Sequence, residues 1–252
     1  MSQDKNTTPE QLRNHLDTLK LPFMRDHVEE LTAAAAAGPW SHAQFLARLL
    51  EGEVAQRQDN ARARRIHCAC FPVLKTLQQF DFTWPAKINR QAVQNLFRLN
   101  FIREKANAIL LGGVGLGKTH LAVALGHAAC EAGFRVRFVN TIDVINILNA
   151  AHNAGRLAAE LKKFTRPHLL VMDELGHLPI DKRGVDLLFQ VISARYERGS
   201  IILTTNKAFK QWPGIFNNDS ALTSALLDRV LHHAETIVIE GKSYRMKDRV
   251  ET

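Results

Sequence analysis

Only three cysteines, Cys68, Cys70 and Cys130, occur in the 252 residues. That excludes a disulfide-stapled scaffold and fits a reducing compartment, so the expected location is the cytoplasm. No apolar run reaches the roughly 18 residues needed to cross a bilayer, and no membrane partner is expected. No secretory leader shows either: residues 1–6 are polar and no apolar stretch follows. Internal repeats are absent, and the one low-complexity tract is the alanine run at 33–37. Acidic residues are in deficit: 33 lysines and arginines outweigh 25 aspartates and glutamates, for a net +8. Such a balance favours a polyanionic partner without proving one. What is present, 46% apolar and 23% charged, is a globular composition long enough for one or two domains.

Residues 1–70 read as a small all-helical domain. Leu12, Leu16, Leu19 and Leu21 supply one apolar face, and a helical pattern runs from Asp26 into the alanine run until Gly38 and Pro39 break it. Ser41 then suits the N-cap of a long amphipathic helix with apolar residues at Phe45, Leu46, Leu49, Leu50 and Val54. Nine basic and nine acidic residues cancel over 1–70, but Arg57, Arg62, Arg64 and Arg65 gather at the end. Arg62, Arg64 and Arg65 are candidate contacts to DNA phosphates; a solvated helix end explains them equally well. Residues 71–106 read as a basic connector, six basic against two acidic, broken at Phe71-Pro72 and Trp84-Pro85. The connector either faces DNA or packs its aromatics on the next domain.

From 107 to 252 the pattern becomes that of an α/β domain. Short apolar strands are predicted at 108–111, 135–139, 169–172, 200–204 and 236–240, with helices at 118–130 and 181–198 between them. That alternation indicates a central parallel sheet flanked by helices.

The first of these strands runs into Gly112-Gly113-Val114-Gly115-Leu116-Gly117-Lys118-Thr119, a full G-x-x-x-x-G-K-[ST] motif with a helix after it. Glycines there let backbone N–H groups close on phosphate oxygens, and the helix N-terminus adds partial positive charge. Lys118 is placed to reach β- and γ-phosphates, the Thr119 hydroxyl to ligate Mg²⁺, and His120 to pack or cap beside them. A second strand ends in Asp173-Glu174. Asp173 suits Mg²⁺, and Glu174, one residue on, suits polarising a water for attack on the γ-phosphate. A third ends in Thr204-Thr205-Asn206, which puts an amide near that phosphate if the strand lies beside the first.

Two other P-loop classes fit less well. Asp173-Glu174-Leu175-Gly176 matches the D-x-x-G of GTPases, but Asn206-Lys207-Ala208-Phe209 ends in Phe where guanine recognition needs Asp. A small-molecule kinase needs neither Glu174 beside Asp173 nor the Thr-Asn strand end. Arg229, on a helical stretch after Asn206, could reach a neighbouring subunit's γ-phosphate, or pair with Asp228 or Glu235. His67-Cys68-Ala69-Cys70 lacks the second pair a structural zinc site needs. His232-His233 reads as a helix end rather than a metal site, Cys130 as core, and Trp212-Pro213-Gly214 as a turn.

The ordered set of P-loop, Asp-Glu strand, Thr-Thr-Asn and late helical arginine resembles the AAA+ ATPases. Leu21-Pro22-Phe23-Met24-Arg25, Phe80-Asp81-Phe82, Leu226-Leu227-Asp228-Arg229-Val230-Leu231-His232-His233 and Gly241-Lys242-Ser243-Tyr244-Arg245 narrow the likeness to the helicase-loader branch. Within that branch the chain is most similar to the IstB-like transposition helpers, with the DnaC-like helicase loaders as the alternative. The resemblance implies an insertion-sequence ATPase that uses ATP and Mg²⁺, assembles as an ATP-bridged homo-oligomer on duplex DNA, deforms it and presents it to an IstA-like transposase. It implies that Lys118 and Thr119 bind phosphate and Mg²⁺, Asp173 holds Mg²⁺, Glu174 activates water, Asn206 senses phosphate and Arg229 acts in trans. Arg245 is a further phosphate-reading arginine by the same likeness. The branch carries a helical insertion after the second strand, here at 141–164, where Lys162, Lys163 and Arg166 are candidate DNA contacts. No helical lid is evident after Glu240, and Gly113-Val114 stands where a proline pair is usual.

Overall fold

The computed structural model describes residues 8–249, with side chains to Met246; the polar start at 1–6 lies outside the described residues. Two compact units divide between Arg64 and Arg65.

The first unit contains α1 (Pro9–Thr18), α2 (Pro22–Ala37) and most of α3 (His42–Ala69). Thr8 and Gln11 form a reciprocal capping box on α1. Ser41 and Gln44 do the same on α3, with Gln44 N–H donating to Ser41 Oγ and Ser41 N–H to Gln44 Oε1. Leu16, Met24 and Leu49 form the core, with Leu21, Val28, Leu31 and Phe45 packed around them. The expected apolar faces prove too wide. Leu46, Leu50 and Val54 are about half exposed, and Leu12 and Leu19 also face outward, because three helices bury only the Phe45–Leu49 side of α3. At the next turn of that side sits Glu53, a buried carboxylate that accepts the Phe23 and Met24 N–H groups at 2.9 and 3.3 Å. Leu21, the N-cap of α2, offers no side-chain cap, so Glu53 supplies it from across the bundle.

The second unit is built on a six-stranded sheet. In chain order its elements are β1 (Lys87–Ile88), α4 (Arg90–Leu96), α5 (Asn100–Arg103), β2 (Asn107–Gly112), α6 (Lys118–Glu131), β3 (Val136–Asn140), α7 (Thr141–Asn153), α8 (Leu157–Thr165), β4 (Leu169–Leu175), α9 (Lys182–Arg195), β5 (Ser200–Thr205), α10 (Trp212–Ile215), α11 (Ser220–Leu231) and β6 (Ala234–Glu240). The spatial order is β1-β6-β2-β5-β4-β3. All neighbours are parallel except β1, which pairs antiparallel with β6 on the edge.

Alternation along the strands makes two cores. Ala108, Leu110, Leu169, Val171 and Ile202 face α4, α5 and α6. Ile109, Leu170, Met172, Ile201 and Leu203 face α7, α8, α9, α10 and α11. Of the two options open for residues 71–106, packing is what is found: Phe80, Val93, Leu96, Phe101 and Ile102 are all buried in the first core. Trp212, read as part of a loop turn, instead begins the short α10 and is 1% exposed in the second core. Arg195, also 1% exposed, ties strand starts together: its guanidinium donates to the carbonyls of Phe164, Pro167, His168 and Ser200.

Candidate nucleotide site

Strands β2, β5 and β4 are adjacent and parallel, so their C-terminal ends converge on one edge of the sheet. There the loop after β2, the Asp173-Glu174 pair of β4 and Asn206 just beyond β5 meet. The condition set for Asn206, that its strand lie beside the first, is satisfied.

The phosphate loop is shaped by Gly115 and Gly117, at φ 74° and 84°. A Cβ on Gly117 would sit 2.6 Å from the Phe80 ring. The loop therefore needs glycine for its conformation and for close packing against the 72–85 segment. Lys118 opens α6 and its Nζ donates to Gly113 O at 2.6 Å. Burial pushes the Lys118 ammonium below its ordinary pKa, opposed by Asp173 and Glu174, while Arg245 adds to the lowering. Val114, Gly115, Leu116, Gly117, Lys118, Thr119 and His120 line a cavity of about 590 Å³; Gly112 and Gly113 do not line it. His120 Nε2 lies 2.9 Å from Thr76 O and its ring stands edge-on to Phe80, so it also ties α6 to the 72–85 segment. Burial lowers the His120 pKa against that bond.

Asp173 is 5% exposed. Thr119 Oγ1 donates to its carboxylate at 2.9 Å, and Thr204 Oγ1 donates to Oδ1. Burial raises the Asp173 pKa, while the two hydroxyls pull the other way. Thr204 Oγ1 also accepts the Glu174 N–H at 2.9 Å, so one β5 hydroxyl fixes both acids. Glu174 itself sits at φ 60°, a left-handed conformation uncommon for a non-glycine residue, within an irregular stretch of the β4–β5 ladder. That twist turns its carboxylate into the cavity, away from the direction an extended strand would give it. Asn140, the last residue of β3, donates from Nδ2 to Glu174 Oε2 at 2.8 Å. Its Oδ1 meanwhile caps α7 by accepting the Ile142 N–H.

Pro72, Val73, Trp84, Pro85, Tyr244 and Arg245 also line the cavity. Trp84 Nε1 donates to Lys242 O at 2.9 Å, its ring meets Tyr244 edge-on, and Tyr244 N–H donates to Gly115 O at 2.9 Å. The segment after β6 is thus clasped onto the phosphate loop.

The residues suit a nucleoside triphosphate with Mg²⁺. The glycine cradle admits phosphate oxygens, the Thr119 hydroxyl and Asp173 carboxylate form a hard oxygen pair, and the Trp84 and Tyr244 rings add an aromatic wall. Sequence reading missed Asn140, the double role of Thr204, and the Trp84–Tyr244 wall. Asn140 carried one signal, a strand end followed at once by a helix start. The wall carried none, because its halves lie about 160 residues apart in sequence.

Other candidates lie elsewhere. Arg229 does not line the cavity; it sits near the end of α11, where Nη1 donates to Ala225 O at 3.0 Å and the guanidinium stacks 4.7 Å from the Phe189 ring. Neither Asp228 nor Glu235 is its partner in these contacts. Lys162, Lys163 and Arg166 fall at the end of α8, just before β4 starts, and so at the opposite edge of the sheet from the phosphate loop. All three are exposed, and Lys163 pairs with Glu160 at 2.7 Å. In the first unit Arg62 pairs with Asp59 at 3.1 Å, and Arg64 is exposed. Arg65 donates from Nε to Cys130 O at 2.8 Å within the second unit. Cys130 is buried, and Cys68 and Cys70 are exposed free thiols.

A family model described as IstB-like ATP binding protein matches residues 14–252. Over 240 residues the chain is 37% identical to the insertion sequence IS5376 putative ATP-binding protein of Geobacillus stearothermophilus, covering 95% of both chains. It is 41% identical over 234 residues to the insertion sequence IS21 putative ATP-binding protein of Pseudomonas aeruginosa, covering 93% of this chain and 88% of that one. Among solved structures, the DnaC helicase loader superposes with a TM-score of 0.53 at 25% identity, over 66% of this chain and 96% of that one.

Proposed function

The chain belongs to the family of IstB-like ATP-binding proteins and has the AAA+ fold, and from that premise we propose that it is an ATP-hydrolysing helper of DNA transposition. ATP-bound copies assemble on duplex target DNA, deform it and present it to an IstA-like transposase, and hydrolysis ends the assembly. The observation that carries this reading is the convergence of Lys118, Thr119, Glu174 and Asn206 on one cavity, with Asp173 hydrogen-bonded to Thr119, in a chain so similar to insertion-sequence ATP-binding proteins.

In this reading the phosphate loop and Lys118 hold the triphosphate, and Thr119 with Asp173 hold Mg²⁺. That ion supplies charge neutralisation at the phosphates. Glu174 takes a proton from the attacking water, the bond to the γ-phosphorus forms, and the β–γ bridging bond breaks to give ADP and phosphate. Asn140 keeps the Glu174 carboxylate aimed, and Asn206 contacts the γ-phosphate from the next strand. Arg229, outside its own chain's cavity, serves the site of a neighbouring copy, which makes ATP the bridge between subunits. Phosphate contacts by Arg62, Arg64, Lys162, Lys163 and Arg166 hold DNA largely without reading sequence.

Sedimentation of the full chain with ATP, on duplex and on single-stranded DNA at two salt concentrations, tests this. Large salt-sensitive assemblies on duplex are expected, trapped in place by Glu174→Gln. The likeness to the DnaC helicase loader keeps a second reading open, helicase loading. Small complexes that prefer single strands would favour it. No DNA binding in either state would sink both.

A further inference from the structure

The turn after α9 and the turn after α11 bring Glu197, His232 and His233 together on the surface. We propose that these three side chains form a binding site for a divalent transition-metal ion of the Zn²⁺ class, separate from the nucleotide cavity. None of them lines that cavity. One ligand atom from each lies within 4.8 Å of the others, and among the described residues no other trio of such side chains is so placed.

A tetrahedral zinc site puts ligand atoms about 3.3 Å apart at ordinary Zn–N and Zn–O distances. All three side chains are exposed, so closing the remaining gap takes side-chain rotation and no backbone movement. The backbone beneath them is already fixed. His232 N–H bonds to Asp228 O at 3.0 Å, and His233 O accepts the Asn107 N–H at 2.6 Å from the start of β2. Glu197 is held in a left-handed turn at φ 55°, between Arg195 O and the two N–H groups of Arg198 and Gly199 that bond to it. The starts of β5 and β6 flank β2 on either side, so the sheet fixes the spacing of the two turns that carry the three side chains.

The surroundings match what imidazole ligands need. Tyr196 Oη lies 2.9 Å from His232 Nδ1. With Nδ1 engaged there, coordination falls to Nε2, the usual arrangement in which a second hydrogen bond orients the ring. Two imidazoles and one carboxylate suit zinc, cobalt, nickel or copper, whereas calcium and magnesium prefer all-oxygen sets. Three protein ligands leave a fourth position for water. Lys105 and Arg229 border the same shallow depression as Glu197 and His233. Their positive charge weakens the binding of a further cation there.

The test is a Zn²⁺ titration of the nucleotide-free full chain carrying Cys68→Ser and Cys70→Ser, in competition with a chromophoric chelator. Removing those exposed thiols takes away the competing cysteine ligands. One equivalent of Zn²⁺ is expected, with Co²⁺ in its place giving the strong visible bands of a four-coordinate nitrogen–oxygen site. Glu197→Gln should weaken binding at least about tenfold and His233→Ala at least about a hundredfold, on the scale by which ligand shells set affinity. Tyr196→Phe keeps all three ligands and should cost less than Glu197→Gln. Thermal unfolding of each variant checks that it is folded. Equal Zn²⁺ affinity in the folded variants and their parent, or no binding once the two thiols are gone, would overturn the assignment.

Discussion

Asn140 and Glu174 face each other across the ends of β3 and β4, with the amide Nδ2 donating to the carboxylate Oε2 at 2.8 Å. The same amide's oxygen caps α7. Orientation of the proposed base is therefore coupled to the start of the helical insertion. Asn140→Asp preserves the cap, since aspartate caps as well as asparagine. It also sets two negative charges in contact, and their repulsion turns the Glu174 carboxylate off its aim. ATP turnover should therefore fall at least about tenfold. Unchanged turnover in a steady-state ATPase assay, with melting temperature preserved, would remove Asn140 from the site.

Glu174→Gln keeps the side chain's size and loses its basicity. ATP affinity should stay within about twofold while turnover falls at least about a hundredfold, the usual worth of a general base. Lys118→Ala should do the reverse and abolish nucleotide binding. Equilibrium binding of a fluorescent ATP analogue separates the two.

Asp173 carries a stability cost that its site imposes. Burial raises its folded pKa above the unfolded 3.8. The folded chain then holds the proton more tightly, so this group favours folding fully below 3.8 and that contribution is lost as pH rises through the raised folded value. Asp173→Asn should accordingly raise the melting temperature of the nucleotide-free protein at pH near 7. The gain should shrink as the pH is lowered toward 4. A melting temperature that falls at neutral pH would mean the carboxylate's bonds to Thr119 and Thr204 outweigh its burial.

Glu53 acts at a distance in sequence, capping α2 from α3. Glu53→Ala leaves the Phe23 and Met24 N–H groups without that acceptor, which should cost about 1–3 kcal/mol. Denaturant unfolding of the N-terminal unit reads this loss, while ATP affinity at the P-loop stays unchanged.

Arg195 is charged, buried and surrounded by carbonyls. Arg195→Met fills a similar volume but strands several acceptors, and should destabilise the second unit by at least about 1–3 kcal/mol, the cost of an unsatisfied buried polar group. Thermal unfolding measures it, and a loss under 1 kcal/mol would show that water replaces the guanidinium.

The parallel strands were legible because they are apolar runs ending in small or acidic residues, and Gly112 to Thr119 carry their motif in the sequence itself. Strand edges were set only to within one to three residues: β4 runs on through Asp173 and Glu174 to Leu175, since its apolar stretch stops before its pairing does. The two-residue β1 carries no pattern, and it exists because Lys87 and Ile88 find Glu240 and Ile239 on β6. Helices α4 and α5 were hidden for a different reason. At 7 and 4 residues they are too short for a helical period to emerge. Trp212 was misread because Pro213-Gly214 signals a turn locally, while an indole in contact with Phe209 and Phe216 is decided by packing. Asn206 could be placed by strand order alone, whereas Asn140 needed the cap on α7 to give its amide a direction.

The indole of Trp84 forms part of the cavity wall, whereas Trp212 is sealed in the core and Trp40 belongs to the other unit. The molecule therefore carries its own optical gauge of occupancy. Emission that changes on adding ATP, and stops changing in Trp84→Phe, would let loading and emptying of the site be followed in real time without a label.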